Sequence, residues 1–278
     1  MKRISLIFVL ALLPLLCFGQ GKVYTKSKRL SDFSSHTTKV VLSGNQTLDA
    51  ALREAVYSRW RLSPYEFCTE YDESDASSYY LRCEAGSSRS GFDTGVAYLA
   101  LSKGGDRKNR ESLDAGFDVI SIPFVPERSS AGREYLYTPA LIGVLQMYVE
   151  DAIGGKTIGG LKGRNPGLFG RNSRPVRISY DDVASGVNQS VMLKYKDAFS
   201  IESSASVDEA FADGGEDYLV GFVVAPVNPQ FGGVSYQMVL DPYTHELFYF
   251  SSHPYVNEGQ RGFNTADIKA LGRLARRN

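Results

Sequence analysis

Short runs rich in Val, Ile, Tyr and Phe recur along this chain of 278 residues, separated by Gly-, Ser- and Pro-rich turns, while few segments carry a helical period. Such punctuation demands sheets with a small number of packing helices. The first half of the pattern is clearest at 38–69. "TKVVL" (38–42) is a β-branched run, "SGNQ" breaks it, and "TLDAALREAVYSRW" then places Leu48, Ala51, Leu52, Ala55 and Val56 at helical spacing. Thr47 is positioned to cap this helix, Asp49 and Arg53 lie four apart on its outer side, and Ser63-Pro64 forces extended geometry before the β-rich "YEFCT". The order is β-α-β.

Further strands are expected at "SYYLRCEA", "GVAYLALS" and "FDVISIPFV". A second helix starts at Thr138 as cap with Pro139 in its first turn, buries Leu141, Ile142, Leu145, Tyr148, Val149 and Ala152, and ends at Gly154-Gly155. From 154 to 177 the composition shifts to seven glycines and six basic residues with no acid, the signature of a linker or exposed loop. Beyond it come "VRISY", "SVMLKYK" and "AFSIESS". "SVDE" (206–209) reads as the capping box of a short acidic helix ending near Gly214-Gly215. Strands at "YLVGFVVAP", "VSYQMVLD" and "ELFYFSS" follow, and a last helix, "TADIKALGRLARR", gathers Ile268, Leu271 and Leu274 on one side.

These elements predict an α/β to α+β fold with mixed sheets and a few packing helices. The divisions are 1–19 as a signal peptide, 20–37 as an N-terminal segment, 38–153 as an N-terminal α/β half, 154–177 as a Gly-rich basic linker or loop, and 178–278 as a C-terminal α+β half. "FCTEYDESDASSYYLRC" and "FSIESSASVDEAFADGGEDYLVGFV" share an order of strand, polar or helical stretch, then strand, which hints at two related halves.

Met1 to Gly19, "MKRISLIFVLALLPLLCFG", has a basic start, an apolar run too short to span a bilayer and a small residue at its end. It reads as a secretory signal cleaved after Gly19 to leave Gln20. A lipid-bearing Cys17 would want a small residue where Leu16 stands. The chain carries 31 basic and 31 acidic residues, and losing Lys2 and Arg3 leaves a slight acidic excess, which argues against nucleic acid as a partner. No transmembrane span is expected after signal removal. Cys68 and Cys83 remain, and in an oxidising compartment a structural disulfide between them is expected, worth about 3 kcal/mol in the chain-entropy description.

Each reactive-looking motif has a plainer reading. Arg59, Trp60 and Arg61 could form a stacking surface for sugars or bases. Counting 100° per residue from Leu48, however, sets Trp60 about 120° round, where its ring can pack while the arginines meet the helix's negative end. Asp93-Thr94-Gly95 copies half of an aspartic-protease dyad without a second such loop. "GGKT" at 154–157 lacks the leading glycine and strand of a phosphate-binding loop. In "LDPYTHELFYFSSHP", His245 falls where a type I turn with a bulge needs positive φ, and His253 ends a strand, so no metal site is expected. No catalytic constellation or cofactor site is assigned.

"LDAALREAVYSRWRLSPYEF" and "LDPYTHELFYFSSHPY" resemble stretches of exported proteins of unknown function from Bacteroidota-type bacteria, and Gln20 resembles their processing sites. The resemblance implies a Gram-negative envelope setting and transfers no catalytic residue. The expectation is a non-enzymatic periplasmic or envelope component that binds or scaffolds another protein or a cell-surface polymer. The alternatives are a periplasmic hydrolase acting on peptide or glycan, and small-ligand binding between the halves.

Overall fold

The computed structural model describes residues 29–87, 91–108, 114–127, 132–156, 160–161 and 174–275. The expected signal, with Cys17 and Gln20, and most of the 154–177 segment lie outside these. Among the described residues ten strands form two mixed five-stranded sheets, and five helices pack on them. No helix among the described residues is long and apolar enough to cross a membrane.

In the first sheet, β1 (Thr38–Val41) runs parallel to both β2 (Tyr65–Cys68) and β3 (Tyr79–Ser87). β4 (Asp93–Lys103) and β5 (Phe117–Pro126) then continue antiparallel, for a spatial order β2-β1-β3-β4-β5. The second sheet repeats this scheme. β6 (Val176–Ser179) is parallel to β7 (Phe199–Glu202) and β8 (Leu219–Val224), and β9 (Val234–Leu240) and β10 (Leu247–Pro254) add antiparallel, giving β7-β6-β8-β9-β10. Even the lead-in bonds correspond: Tyr79 N donates to Thr37 O at 3.1 Å, and Leu219 N to Pro175 O at 2.9 Å. Carrying the register across both sheets makes Tyr98 of β4 the counterpart of Tyr236 of β9. The hint of two related halves is therefore a shared topology.

Helix placement follows the same duplication. α1 (Gln46–Arg59) links β1 to β2 and α3 (Gln189–Lys194) links β6 to β7, while α2 (Thr138–Ile153) follows β5 and α5 (Thr265–Ala275) follows β10. α4 (Ser204–Asp213), between β7 and β8, replaces a polar loop of the first half. "SVMLKYK" is thus mostly helical, and β6 begins at Val176, inside the segment expected to be linker.

Two caps differ from expectation for the same reason, an upstream side chain that reaches further. Asn45, not Thr47, caps α1, its Oδ1 accepting from Thr47 N (3.1 Å) and Leu48 N (3.2 Å). Ser203 caps α4, accepting from Ser206 N at 3.2 Å, so "SVDE" lies inside the first turns. Asp49 accepts instead from Ser43 N (2.8 Å) and Gly44 N (3.0 Å), and Arg53 lies over the Phe67 ring. Gly214 ends α4 at φ +65°, where the left-handed backbone favours glycine.

The principal core draws on both halves. α2 is central to it: beyond the expected six residues, Thr138, Ala140 and Val144 are buried as well, so the helix is covered on nearly every side. It packs on α1 and β5. It reaches the second half through Tyr137, whose ring stacks on Phe222 (centroids 4.2 Å, 2°) and tilts against Phe211 (4.4 Å). Such pairs contribute about 1 kcal/mol beyond area burial. A second core lies under α3 and α5.

Candidate functional site

Phe92, just before β4, meets the β8–β9 connection, and apolar side chains there stand in solvent. Phe92 and Phe231, one from each half, pack edge to face with centroids 4.8 Å apart and planes at 82°. Phe231 is nevertheless 77% exposed, Phe92 45% and the neighbouring Val227 53%. A shallow cleft of about 330 Å³ beside the rings is lined by Gly95, Pro226, Val227, Asn228, Pro229 and Gln230.

Two glycines let the connections interlock. Gly95 has φ +69°, and a Cβ there would stand 2.5 Å from Pro226 Cγ; Gly232 has φ +84°, and a Cβ there would stand 2.7 Å from Phe92 Cβ. Both sites forbid a side chain on backbone and steric grounds. Hydrogen bonds then fix the loop. Gln230 N donates to Tyr255 O (3.1 Å), Gly233 N to Gln230 O (2.9 Å) and Tyr255 N to Gly233 O (2.8 Å). Two prolines stiffen the rest. The expected turn role of Asp93-Thr94-Gly95 is realised here: Asp93 Oδ1 accepts from Gly95 N at 2.6 Å as β4 opens. Rigid aromatic side chains beside an amide-bearing cleft suit binding by burial rather than bond-making.

The Arg59-Trp60-Arg61 stretch is not a continuous surface. Trp60 is 2% exposed, lies against Phe33, and donates from Nε1 to Ser63 O (3.1 Å) and Ser63 Oγ (3.2 Å). Arg61 folds back on the last carbonyls of α1, Nη1 to Trp60 O at 2.6 Å and Nη2 to Ser58 O at 2.9 Å, as the helix dipole favours. Gln146 of α2 clamps the same end, accepting from Arg61 N (2.6 Å) and donating to Arg59 O (2.7 Å).

The disulfide expectation is corrected. Cys68 and Cys83 are free thiols, because β1 lies between their strands. Two strand spacings put their backbones roughly 9–10 Å apart, beyond the reach of a bridge. Cys68 also pairs with Val41, whereas Cys83 shares the face of Val40 and Leu81, so the thiols point to opposite sides. Burial pushes the Cys83 thiol up to about 12 and raises that of Cys68.

His245 sits at φ +61°, the one non-glycine residue with positive φ among those described, in the turn whose bulge follows at 247–249. Its ring stacks on Phe211 (5.8 Å, 15°), and burial, followed by the nearby Arg59 charge, lowers its pKa to about 4.

His253 joins a polar network that the sequence did not reveal. Asp267 of α5 accepts from Ser251 Oγ (2.6 Å) and Tyr249 OH (2.9 Å) on Oδ1 and from Asn264 N (2.8 Å) on Oδ2. Gln237 Nε2 donates to Ser235 Oγ at 2.7 Å, and His253 Nε2 donates to Gly262 O at 2.9 Å, with Asp267 Oδ2 at 3.8 Å. Alternation along β9 and β10 was the available signal, since Ser235/Gln237 and Tyr249/Ser251/His253 fall at period two. The geometry is not that of a nucleophile with its base. Ser251 is bonded to the carboxylate, and both ring nitrogens of His253 face carbonyl oxygens, Nδ1 lying 3.3 Å from Pro254 O.

A third cluster spans the halves. Arg133 Nε bonds both carboxylate oxygens of Asp208 at 2.8 Å and Nη1 reaches the fully buried Asp182 at 3.0 Å, to which Arg261 adds a bond at 3.2 Å. Burial raises the Asp182 pKa against the pull of both arginines. Among the described residues no group of three His, Cys, Asp or Glu side chains could hold a metal. No family model, curated protein or solved structure matches this chain.

Proposed function

We propose that the chain is a non-enzymatic binding component of a bacterial envelope, exported by its first 19 residues, which docks another protein through the Phe92–Phe231 tip. The observation that supports this reading is the 77% exposure of Phe231 on a backbone pinned by Gly95, Gly232 and three hydrogen bonds. Exposed aromatic rings on rigid turns offer contact area at little entropic cost, and the Asn228 and Gln230 amides offer bonds to a partner's backbone. A photo-crosslinker at Val227, activated in intact cells, should trap a discrete protein adduct that disappears when Phe92 and Phe231 are both changed to Ser. Absence of an adduct, or one indifferent to the double change, would defeat the reading.

The hydrolase alternative is favoured by one observation, the convergence of Ser251, His253 and Asp267. It stands second because the Ser251 hydroxyl donates to Asp267 and faces Gln237 Oε1, and both His253 ring nitrogens face carbonyl oxygens instead of that hydroxyl. A fluorophosphonate probe that labelled Ser251 would reverse this order.

A further inference from the structure

Open sheet edges invite pairing with other chains, and folds suppress them. Among the described residues the two sheets have four edges, and three of them are suppressed. β2 and β7 are four residues long and carry Glu66 and Glu202. β5 is longer, but it contains Pro123 and Pro126 and packs against β8. β10 is the exception: Leu247–Pro254 spans eight residues without Lys, Arg, Asp or Glu, and its one proline, Pro254, closes the strand and leaves the donors of Phe250 and Ser252 in place.

The ladder shows which groups are open. Tyr255 N donates to Gly233 O, and the register carries that alternation to the His253↔Ser235, Ser251↔Gln237 and Tyr249↔Val239 pairs. Phe250 and Ser252 therefore turn their N–H and C=O groups away from β9, and no backbone group among the described residues meets them. The duplicated topology makes this edge unusual. Tyr98 pairs with Pro123 as its counterpart Tyr236 pairs with Ser252, so Pro123 and Ser252 hold equivalent places. In the first half the residue there has no donor; in the second half the donor is present and faces outward.

We propose that β10 is the seam of a symmetric dimer, pairing antiparallel with β10 of a second copy about a twofold axis through Ser251. In that register Phe250 of one copy stands opposite Ser252 of the other. The two pairs supply about four backbone hydrogen bonds and fuse two five-stranded sheets into one. A second copy fits this edge because the outward-turned groups of the half-buried Phe250 and Ser252 complement themselves in this register, and an uncharged strand opposes no like charges across the axis. The seam is centred on Ser251, four residues before the Tyr255 backbone that ties down the tip loop, and it does not depend on the tip's function.

The test is light scattering or sedimentation of the chain beginning at Gln20 over a range of concentrations. The mass should double. Ser252→Pro, which copies the first half's Pro123, should weaken the dimer at least about tenfold, as should Ser252→Lys, which sets two cations near the axis. Unchanged circular dichroism and melting would verify that both variants fold. A monomer throughout, a dimer that survives both substitutions, or a foreign strand captured by monomeric protein would each overturn the proposal.

Discussion

The hydroxyls of Tyr98 and Tyr236 hydrogen-bond each other across the seam between the halves, with rings 5.9 Å apart at 79°. The two tyrosines hold the same place in two copies of one topology, so equivalent positions of the two halves meet here. Phe92 and Phe231, five or six residues before them, repeat the edge-to-face arrangement at the solvent end.

Burial raises the pKa of both tyrosines, so each hydroxyl stays protonated. Tyr98→Phe should cost about 1–2 kcal/mol by leaving the Tyr236 hydroxyl unpaired, and Tyr236→Phe less, because Thr94 still meets the Tyr98 hydroxyl. The double change should cost less than the sum, and urea unfolding of all four proteins measures the coupling.

His245 makes the fold acid-sensitive. Its folded pKa of about 4 lies below the ordinary 6.5, so between those values the unfolded chain binds the proton and the folded chain does not. Stability from this residue is complete above pH 6.5 and falls, by on the order of 3 kcal/mol, as pH drops towards 4. His245→Asn, which tolerates the positive φ, should flatten the profile of melting temperature against pH over that window.

The thiols offer a direct check on the sheet order. The chain starting at Gln20, unfolded without reductant, should release two titratable thiols. In the native protein Cys83 should resist a thiol reagent at pH 8, because burial holds it protonated. Native protein isolated with an intact 68–83 bridge would contradict the placement of β1 between β2 and β3.

Gly232→Ala should destabilise by about 1–3 kcal/mol, combining a strained positive φ with a clash against Phe92. Phe231→Ser, at a side chain already in water, should leave the melting temperature within a degree or two while abolishing the Val227 adduct. That contrast separates a binding side chain from a structural one.

Arg133→Met should cost about 3–5 kcal/mol, since Asp182 would keep a buried carboxylate with only Arg261 to answer it. Chemical denaturation measures the loss.

Much of this fold could be read from the chain because its signals are local. Period-two runs gave the strands, and the 48–56 and 138–152 patterns gave the long helices. The "DPYTH" turn placed positive φ on His245, and the repeat surfaced in the β2–β3 and β7–β8 segments. What stayed hidden depends on pairing at a distance. Nothing near Cys68 or Cys83 says that β1 comes between them, and nothing near Phe92 says that its ring meets Phe231. The Asp267 network likewise needs α5 laid across two strands. The expected six-residue face of α2 was too narrow because residues much later in the chain meet it as well, His245 at Gly143 and Phe211 and Phe222 at Tyr137 just before it.

That last feature bears on how the protein is made. As the chain emerges N-terminus first, α2 is complete long before His245 exists to lie against Gly143 or Phe222 to stack on the Tyr137 ring at its start. Until the later half arrives, the apolar flank of 138–153 has less to cover it, and a chaperone that shields this stretch would guard the step at which aggregation competes with folding.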